Sequence, residues 1–134
     1  MVIMNLQVFI FDIGLQIFMM EVSDMTFQDF FEEVAGQFAG ASVKGIGQHL
    51  AYQFNIVGEA AGAFYVEVRD EKVYVEPYEY YDRDVLFTAK ADVFRKIIAG
   101  NMDPVFAFTT GKLKVDGSIE TALKLKDVLA CLEK

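Results

Sequence analysis

The sequence of 134 residues has little of the material from which most catalytic and metal sites are built. It contains one Cys, one His and no Trp. Cys131 alone cannot form an internal disulfide, and His49 has no second His or Cys cluster to complete a zinc site or a Ser-His-Asp set. We therefore expect no enzyme activity, no catalytic residues, no metal and no cofactor, and a single cysteine favours a cytoplasmic location.

Positive charge is also scarce. Twelve Lys and Arg stand against twenty Asp and Glu, which makes a net charge of −8, and none of the twelve occurs before Lys44. Nucleic acid requires a basic surface, so nucleic-acid binding is excluded as a function class. The length suits one domain with one core.

Near its start the chain has an unusually apolar segment, NLQVFIFDIGLQIFMM, at residues 5–20. A secretory signal needs a basic leading region, a membrane span needs basic flanks, and Asp12 lies in the middle of this segment. We expect residues 1–22 to form a helical extension ahead of a domain at 23–134, with an edge strand as the alternative. Such a helix must cover its apolar faces, and a homodimer through residues 1–20 is favoured over packing on its own domain.

The rest of the sequence alternates between helical and strand periodicity. A helix capped by Ser23 or Asp24 precedes three period-two runs, LAYQFNIV, AFYVEVR and KVYVEP, whose short breaks predict an antiparallel meander. A fourth strand, VLFTAK, leads into the helix ADVFRKIIAG. The short helix PVFAF, capped by Asp103, precedes a fifth strand, KLKVD, and one last helix capped by Ser118. The order predicts an α+β fold with helices on one face of a largely antiparallel five-stranded sheet, and it places Phe106, Phe108 and Ile119 inward.

Two longer stretches, GAFYVEVRDEKVYVEP and YDRDVLFTAKADVFRKIIAGNMDPVFAFTTGKLKVDGSIETALKL, carry a family resemblance. Their ordered features are the strand at Asp84, the helix ending in Gly100, DP at 103–104, AF at 107–108, GKLKVDG at 111–117 and ALKL at 122–125. Across residues 24–130 the chain resembles the sterol carrier protein type-2 family of nonspecific lipid-transfer domains. Residues 1–20 have no counterpart in that pattern.

The resemblance implies an apolar tunnel that encloses a lipid and performs no catalysis. A fatty acid or fatty acyl-CoA is favoured over a sterol as the ligand, with transient contact to a membrane surface. The alternative is the same fold packed solid and used as a protein-interaction module. The candidate lipid-binding residues lie on the strand faces toward the helices and on the helices themselves: Phe54, Ile56, Val66, Val68, Val85, Phe87, Phe94, Ile97, Ile98, Phe108, Leu113, Val115 and Leu125.

Two charged groups accompany these apolar residues. Lys112, Lys114, Lys124 and Lys126 would form a basic corner for a lipid head group, or else an ordinary solvated face. The loop EPYEYYDRD, residues 76–84, bunches four acids with three tyrosines. We interpret it as a solvent-facing connection in which Arg83 is available as a partner for the acids, and not as a metal or acid–base site.

Overall fold

The fold is a five-stranded sheet with its helices packed on one face, which confirms the predicted α+β class. The computed structural model describes residues 20–132, so most of the predicted extension at 1–22, and the dimer through 1–20, lie outside the described residues and stay predictions. The strands are β1 Leu50–Val57, β2 Gly62–Arg69, β3 Lys72–Glu76, β4 Val85–Lys90 and β5 Lys114–Gly117. The helices are α1 Phe27–Phe38, α2 Ala91–Ile98, α3 Pro104–Thr109, α4 Ile119–Leu123 and α5 Leu125–Ala130.

The strands lie in the order β3-β2-β1-β4-β5. β1, β2 and β3 pair as the predicted antiparallel meander, and β4 pairs antiparallel with β5. β1 and β4 are parallel, because the chain crosses from the β3 edge to the other side of β1 before β4 begins. The sheet is therefore mixed, and β5 is one of its edges.

Phe54 marks the centre of the core on the helix-covered face of the sheet. It faces Phe64 on β2 and Phe87 on β4 in the strand register. Its ring centroid lies 4.8 Å from that of Phe64, 5.3 Å from Phe87 and 5.4 Å from Phe94 on α2. These separations fall in the favourable range for aromatic pairs, so the middle of the domain is filled by its own side chains.

Both ends of the helical layer differ from the sequence-based expectation. α1 is capped by Thr26, and not by Ser23 or Asp24, because Thr26 and Asp29 form a reciprocal capping box while residues 22–24 form a separate 3-10 turn. The last helix is divided at Lys124, whose N–H bonds to the Thr121 carbonyl three residues back and tightens the turn. The caps predicted at Asp103 and Ser118 are confirmed.

Three apolar residues predicted to face inward are exposed instead. Phe106 retains 51% of its accessible surface, Phe108 48% and Ile119 56%. α3 and α4 are six and five residues long, and only Ala107 of the two helices is fully buried. Helices this short cover little of the sheet, which leaves an opening between them.

Candidate functional site

An apolar groove of about 270 Å³ lies between α3 and α4, over the β4–β5 edge of the sheet. Its floor is formed by Phe87, Leu113 and Val115, and its walls by residues of the two short helices. The groove is open to solvent along the exposed side chains of those helices. Within residues 20–132, the lining is Phe87, Pro104, Val105, Phe108, Thr109, Leu113, Val115, Ile119, Ala122, Leu123 and Lys126.

The α3 wall is shaped by local sequence. Asp103 accepts a hydrogen bond from the Val105 N–H, and Pro104 occupies the first helical turn, where its missing N–H costs nothing. Gly111 has a φ of 78°, which ends the helix in a sharp turn. The N–H groups of Lys112 and Leu113 then both bond to the Ala107 carbonyl, at 2.8 and 3.1 Å, so Leu113 is drawn beneath the helix as part of the floor.

The α4 wall is held by contacts to β1 and β4. The Ser118 N–H bonds to the Asp84 carbonyl at 3.2 Å, and the Ser118 side chain caps α4 by accepting from Thr121. The buried Tyr52 hydroxyl donates to the Thr121 carbonyl at 2.8 Å. Burial and the nearby Asp84 carboxylate raise the pKa of Tyr52 far above its usual value, so this phenol stays protonated and keeps donating.

The structure brings four of the thirteen predicted lipid-binding residues to the groove: Phe87, Phe108, Leu113 and Val115. Phe108 stands at the rim, half exposed, and the other three form the floor. The remaining nine are buried in the core and do not line the groove: Phe54, Ile56, Val66, Val68, Val85, Phe94, Ile97, Ile98 and Leu125. An enclosed tunnel lined by all thirteen stays a prediction.

The four predicted lysines do not form one corner. Lys126 lies at the groove, 3.4 Å from the Asp103 carboxylate. Lys124 donates to Gln48, close to the start of β1. Lys112 and Lys114 lie at the other end of the sheet, where Lys114 pairs with Thr88 across the β4–β5 ladder.

On the opposite face of the sheet, Gln53 and Glu67 form a buried polar cluster that the sequence did not reveal. Glu67 is 4% exposed and accepts from the Tyr80 hydroxyl at 2.9 Å, and His49 lies 2.6 Å from the same oxygen. The Gln53 side-chain oxygen accepts from the Tyr80 N–H at 2.9 Å and from Arg83 at 3.3 Å. The tyrosine-rich loop is therefore held over the sheet at Tyr80 and Arg83, and Arg83 bonds to the Gln53 side chain and the Tyr80 carbonyl and not to one of the acids.

The environment of Glu67 keeps its carboxylate charged. Burial by itself would raise the pKa of Glu67, but the hydrogen bonds from His49 and Tyr80 favour the ionised form and lower the pKa below its usual value. The same contact raises the pKa of Tyr80. These groups hold the loop in place, and they lie on the face of the sheet away from the groove.

Within residues 20–132, no three His, Cys, Asp or Glu side chains come close enough to hold a metal ion. No helix in that part of the chain has both the length and the apolar character needed to cross a bilayer. The chemistry available at the groove is therefore that of apolar contact, with one lysine at its margin.

The comparison with known families decides what kind of domain carries this groove. The model of the SCP-2 sterol transfer family matches residues 29–130. The chain belongs to this family. The match covers the sheet and the α1 to α5 layer, including both walls of the groove, and it confirms the family resemblance predicted from the sequence.

Relatives of this SCP-2 domain include much larger proteins. Hydroxysteroid dehydrogenase-like protein 2 from Mus musculus is 35% identical over 79 residues, which are 58% of this chain and 16% of that protein. The sec-alkylsulfatase Pisa1 from Pseudomonas sp. superposes with a TM-score of 0.64 at 16% identity, over 82% of this chain and 17% of that one. Because this chain spans less than a fifth of either protein, the activities in those names belong to proteins with much additional sequence.

A solved structure of similar size shows the same fold. Palmitated SCP2L2 from Aedes aegypti superposes with a TM-score of 0.57 at 20% identity, over 78% of this chain and 95% of that one. The two proteins therefore share a fold at low sequence identity.

Proposed function

We propose that this domain binds the apolar chain of a lipid in the groove between α3 and α4 and carries it between sites. The observation that carries the proposal is the groove itself: a concave, almost wholly apolar surface on a domain of the SCP-2 sterol transfer family. Ligand pockets are typically concave, mostly apolar and marked by a few polar groups, and here Lys126 supplies a polar group at the margin.

We favour a fatty acid or fatty acyl-CoA over a sterol. The groove volume of about 270 Å³ lies just below the roughly 300–1,000 Å³ that ligand pockets occupy, and a groove this small suits a slender acyl chain better than fused rings. The description of the Aedes aegypti protein as palmitated supports the same ligand class. Each buried methylene contributes about 0.8 kcal/mol, and a bilayer offers a similar gain, so loading and unloading would be nearly balanced.

In this proposal the four groove residues contact the lipid directly, and the nine core residues support the floor beneath it. Deeper entry of a ligand, toward a tunnel, would require α3 and α4 to move and the Phe54 cluster to repack. We propose no catalytic step, because the described residues of the groove lining include no nucleophile–base pair.

The test is binding of a fluorescent fatty acid by the full chain and by an Ile119→Asp variant. Ile119 lines the groove but is 56% exposed, so the change should cost little stability while it places a charge beside the acyl chain. We expect binding to weaken at least tenfold. Tyr78→Asp, at an aromatic residue of the far loop that is also more than half exposed, is the matched control and should bind like the parent chain.

A second candidate function has its own observation, because nine of the predicted lipid-binding residues are already packed in the core. A solid interaction module would have this property. Native mass spectrometry of protein purified from cells separates the two. If the protein is a carrier, the parent chain should show the added mass of a co-purified lipid, and the Ile119→Asp variant should not. If neither protein shows added mass, the domain is a solid module and the proposal is refuted.

A further inference from the structure

The two short helices that form the groove walls leave five large apolar side chains open to solvent. Phe106 on α3 is 51% exposed and does not line the groove, so a lipid chain lying in the groove would leave it uncovered. The other four line the groove and are still between 39% and 56% exposed: Val105, Phe108, Ile119 and Leu123. Large exposed apolar groups clustered around a cavity usually mark an interaction surface. These five residues, the groove patch, therefore call for an occupant larger than one acyl chain.

The chain itself carries a segment of matching character outside the described residues. Ten of the fifteen residues at 5–19 are apolar, and Asp12 is the one charged residue among them. In the described lining of the groove, Lys126 is the one charged residue, and residues 104–126 contain four Lys and two acidic residues. The segment and the groove patch are therefore complementary in both apolar character and charge. A surface ion pair adds little affinity, but it favours one register of docking.

The described part of the chain begins in the helical layer, close to the turn that leads to α3. The Met20 carbonyl accepts a hydrogen bond from Arg95 on α2 at 2.7 Å. The turn between α2 and α3 bonds back to the carbonyl of Lys96, the next residue of α2. Fifteen residues span at most about 50 Å when extended and about 22 Å as a helix, and both lengths exceed the radius of gyration of roughly 13 Å expected for a domain of this size. Residues 5–19 can therefore reach the groove of their own chain.

We propose that residues 5–19 dock on the groove patch of their own chain and cover the groove until a lipid displaces them. Tethering favours this arrangement over docking on a second copy, because a linked segment meets its own groove at an effective concentration on the order of millimolar. Asp12 then lies beside Lys126, and apolar side chains of the segment cover the groove patch. Because the segment and the lipid compete for one surface, the apparent affinity for lipid falls with the fraction of molecules whose groove is covered.

The competition rests on the proposed lipid-binding function, whereas the docking is tested without lipid. A spin label is attached to the full chain at Gln7→Cys, a polar position of the segment, in a Cys131→Ser background that leaves one thiol. We expect the label to reduce the NMR amide signals of Ile119 and Leu123 at least twofold more than that of Tyr74. Tyr74 is the control because it lies on β3, at the edge of the sheet opposite β5.

The competition is tested by binding of a fluorescent fatty acid to full-length variants. Phe9→Asp with Ile13→Asp places two charges at apolar positions of the segment and should tighten binding roughly fivefold, the result expected if the segment covers the groove in about four-fifths of the parent molecules. Asn5→Asp with Gln16→Asp adds the same charge at polar positions and should bind like the parent chain. Saturating fatty acid should also restore the Ile119 signal in the spin-labelled chain. Thermal melting of each variant shows that it is folded.

Several results would overturn the proposal. Docking is excluded if the label reduces the Ile119 and Leu123 signals no more than the Tyr74 signal. Docking on the same chain is excluded if a spin-labelled chain causes an equal loss in a separate isotope-labelled chain, because the segment then occupies a second copy, as the predicted homodimer requires. An unchanged fatty-acid affinity in the Phe9 and Ile13 variant excludes the competition. If the segment docks and neither the parent nor any variant binds fatty acid, the docking is supported and the proposed lipid-binding function is refuted.

Discussion

Asp84 offers the sharpest test of how the groove is built, because it connects β1 and the start of β4 to α4. Its carboxylate accepts a hydrogen bond from the Ala51 N–H at 2.8 Å, and its own N–H donates to the Ala51 carbonyl at 2.8 Å. Its carbonyl receives the Ser118 N–H at the start of α4. The residue thus starts the parallel pairing of β1 with β4 and also anchors one wall of the groove.

The Ala51 N–H is buried, because Ala51 has no accessible surface, and it donates to the Asp84 carboxylate. Replacing Asp84 with Ala removes this acceptor. A hydrogen bond to a charged group contributes about 1.5–3 kcal/mol, and an unsatisfied buried donor costs about 1–3 kcal/mol. We therefore expect the free energy of unfolding to fall by about 2–3 kcal/mol. For a chain of this length that corresponds to a drop in Tm of roughly 6–15 °C.

The assay is urea unfolding followed by circular dichroism, with a thermal melt on the same samples. Asp84→Asn keeps an acceptor oxygen and should lose about 1 kcal/mol or less. Asp82→Ala, an exposed position two residues earlier, should change the free energy by about 0.5 kcal/mol at most. A loss in Asp84→Ala no larger than that in Asp82→Ala would refute this role of Asp84, and so would equal losses in Asp84→Asn and Asp84→Ala.

Two further predictions concern other positions. The fold lowers the pKa of Glu67, so its carboxylate stabilises the protein above a pH of about 4.3, and this stabilisation is lost as the pH falls through the folded-state pKa. Glu67→Gln should therefore flatten the acid side of a curve of unfolding free energy against pH. The control variant Glu71→Gln should leave that curve unchanged. Gly117 has a φ of 119°, and a Cβ there would collide with the Asp84 carbonyl oxygen, so Gly117→Ala should lower the free energy of unfolding by at least about 2 kcal/mol. Gly36 lies on the open surface of α1, so Gly36→Ala should raise it by about 0.5–1 kcal/mol. Both values are measured in the same urea titration.

Much of the fold could be predicted from local sequence patterns. The alternation in LAYQFNIV and VLFTAK correctly indicated that Phe54 and Phe87 face the helices. The caps at Asp103 and Ser118 were predictable because a cap bonds to backbone within three residues of itself. The motifs between Asp84 and Leu125 were enough to indicate the SCP-2 family, which the family comparison confirmed.

Several of the errors and omissions share one cause, since they depend on contacts between distant parts of the chain. The cap of α1 is different, because the capping box of Thr26 and Asp29 is local. Period-two alternation showed that Gln53 and Glu67 face away from the core, but it could not show that the loop at Tyr80 returns to bury them. The same limit applies to Phe106 and Ile119, whose apolar character suggested burial. No local sequence pattern indicates that α3 and α4 are too short to cover these two side chains.

The sequence by itself determined which segments form helices and strands, which faces of them are buried, and the family to which the chain belongs. It also determined the net negative charge of the chain and the excess of lysine at residues 104–126. The tertiary structure alone decided that the candidate lipid-binding residues divide into a packed cluster and an open groove, and that the four lysines separate to different ends of the sheet. The physical reason is that periodicity records whether a side chain avoids water, whereas a cavity is a gap between elements. Its position depends on how far each helix extends across the sheet, and that distance is set only when the strands pair.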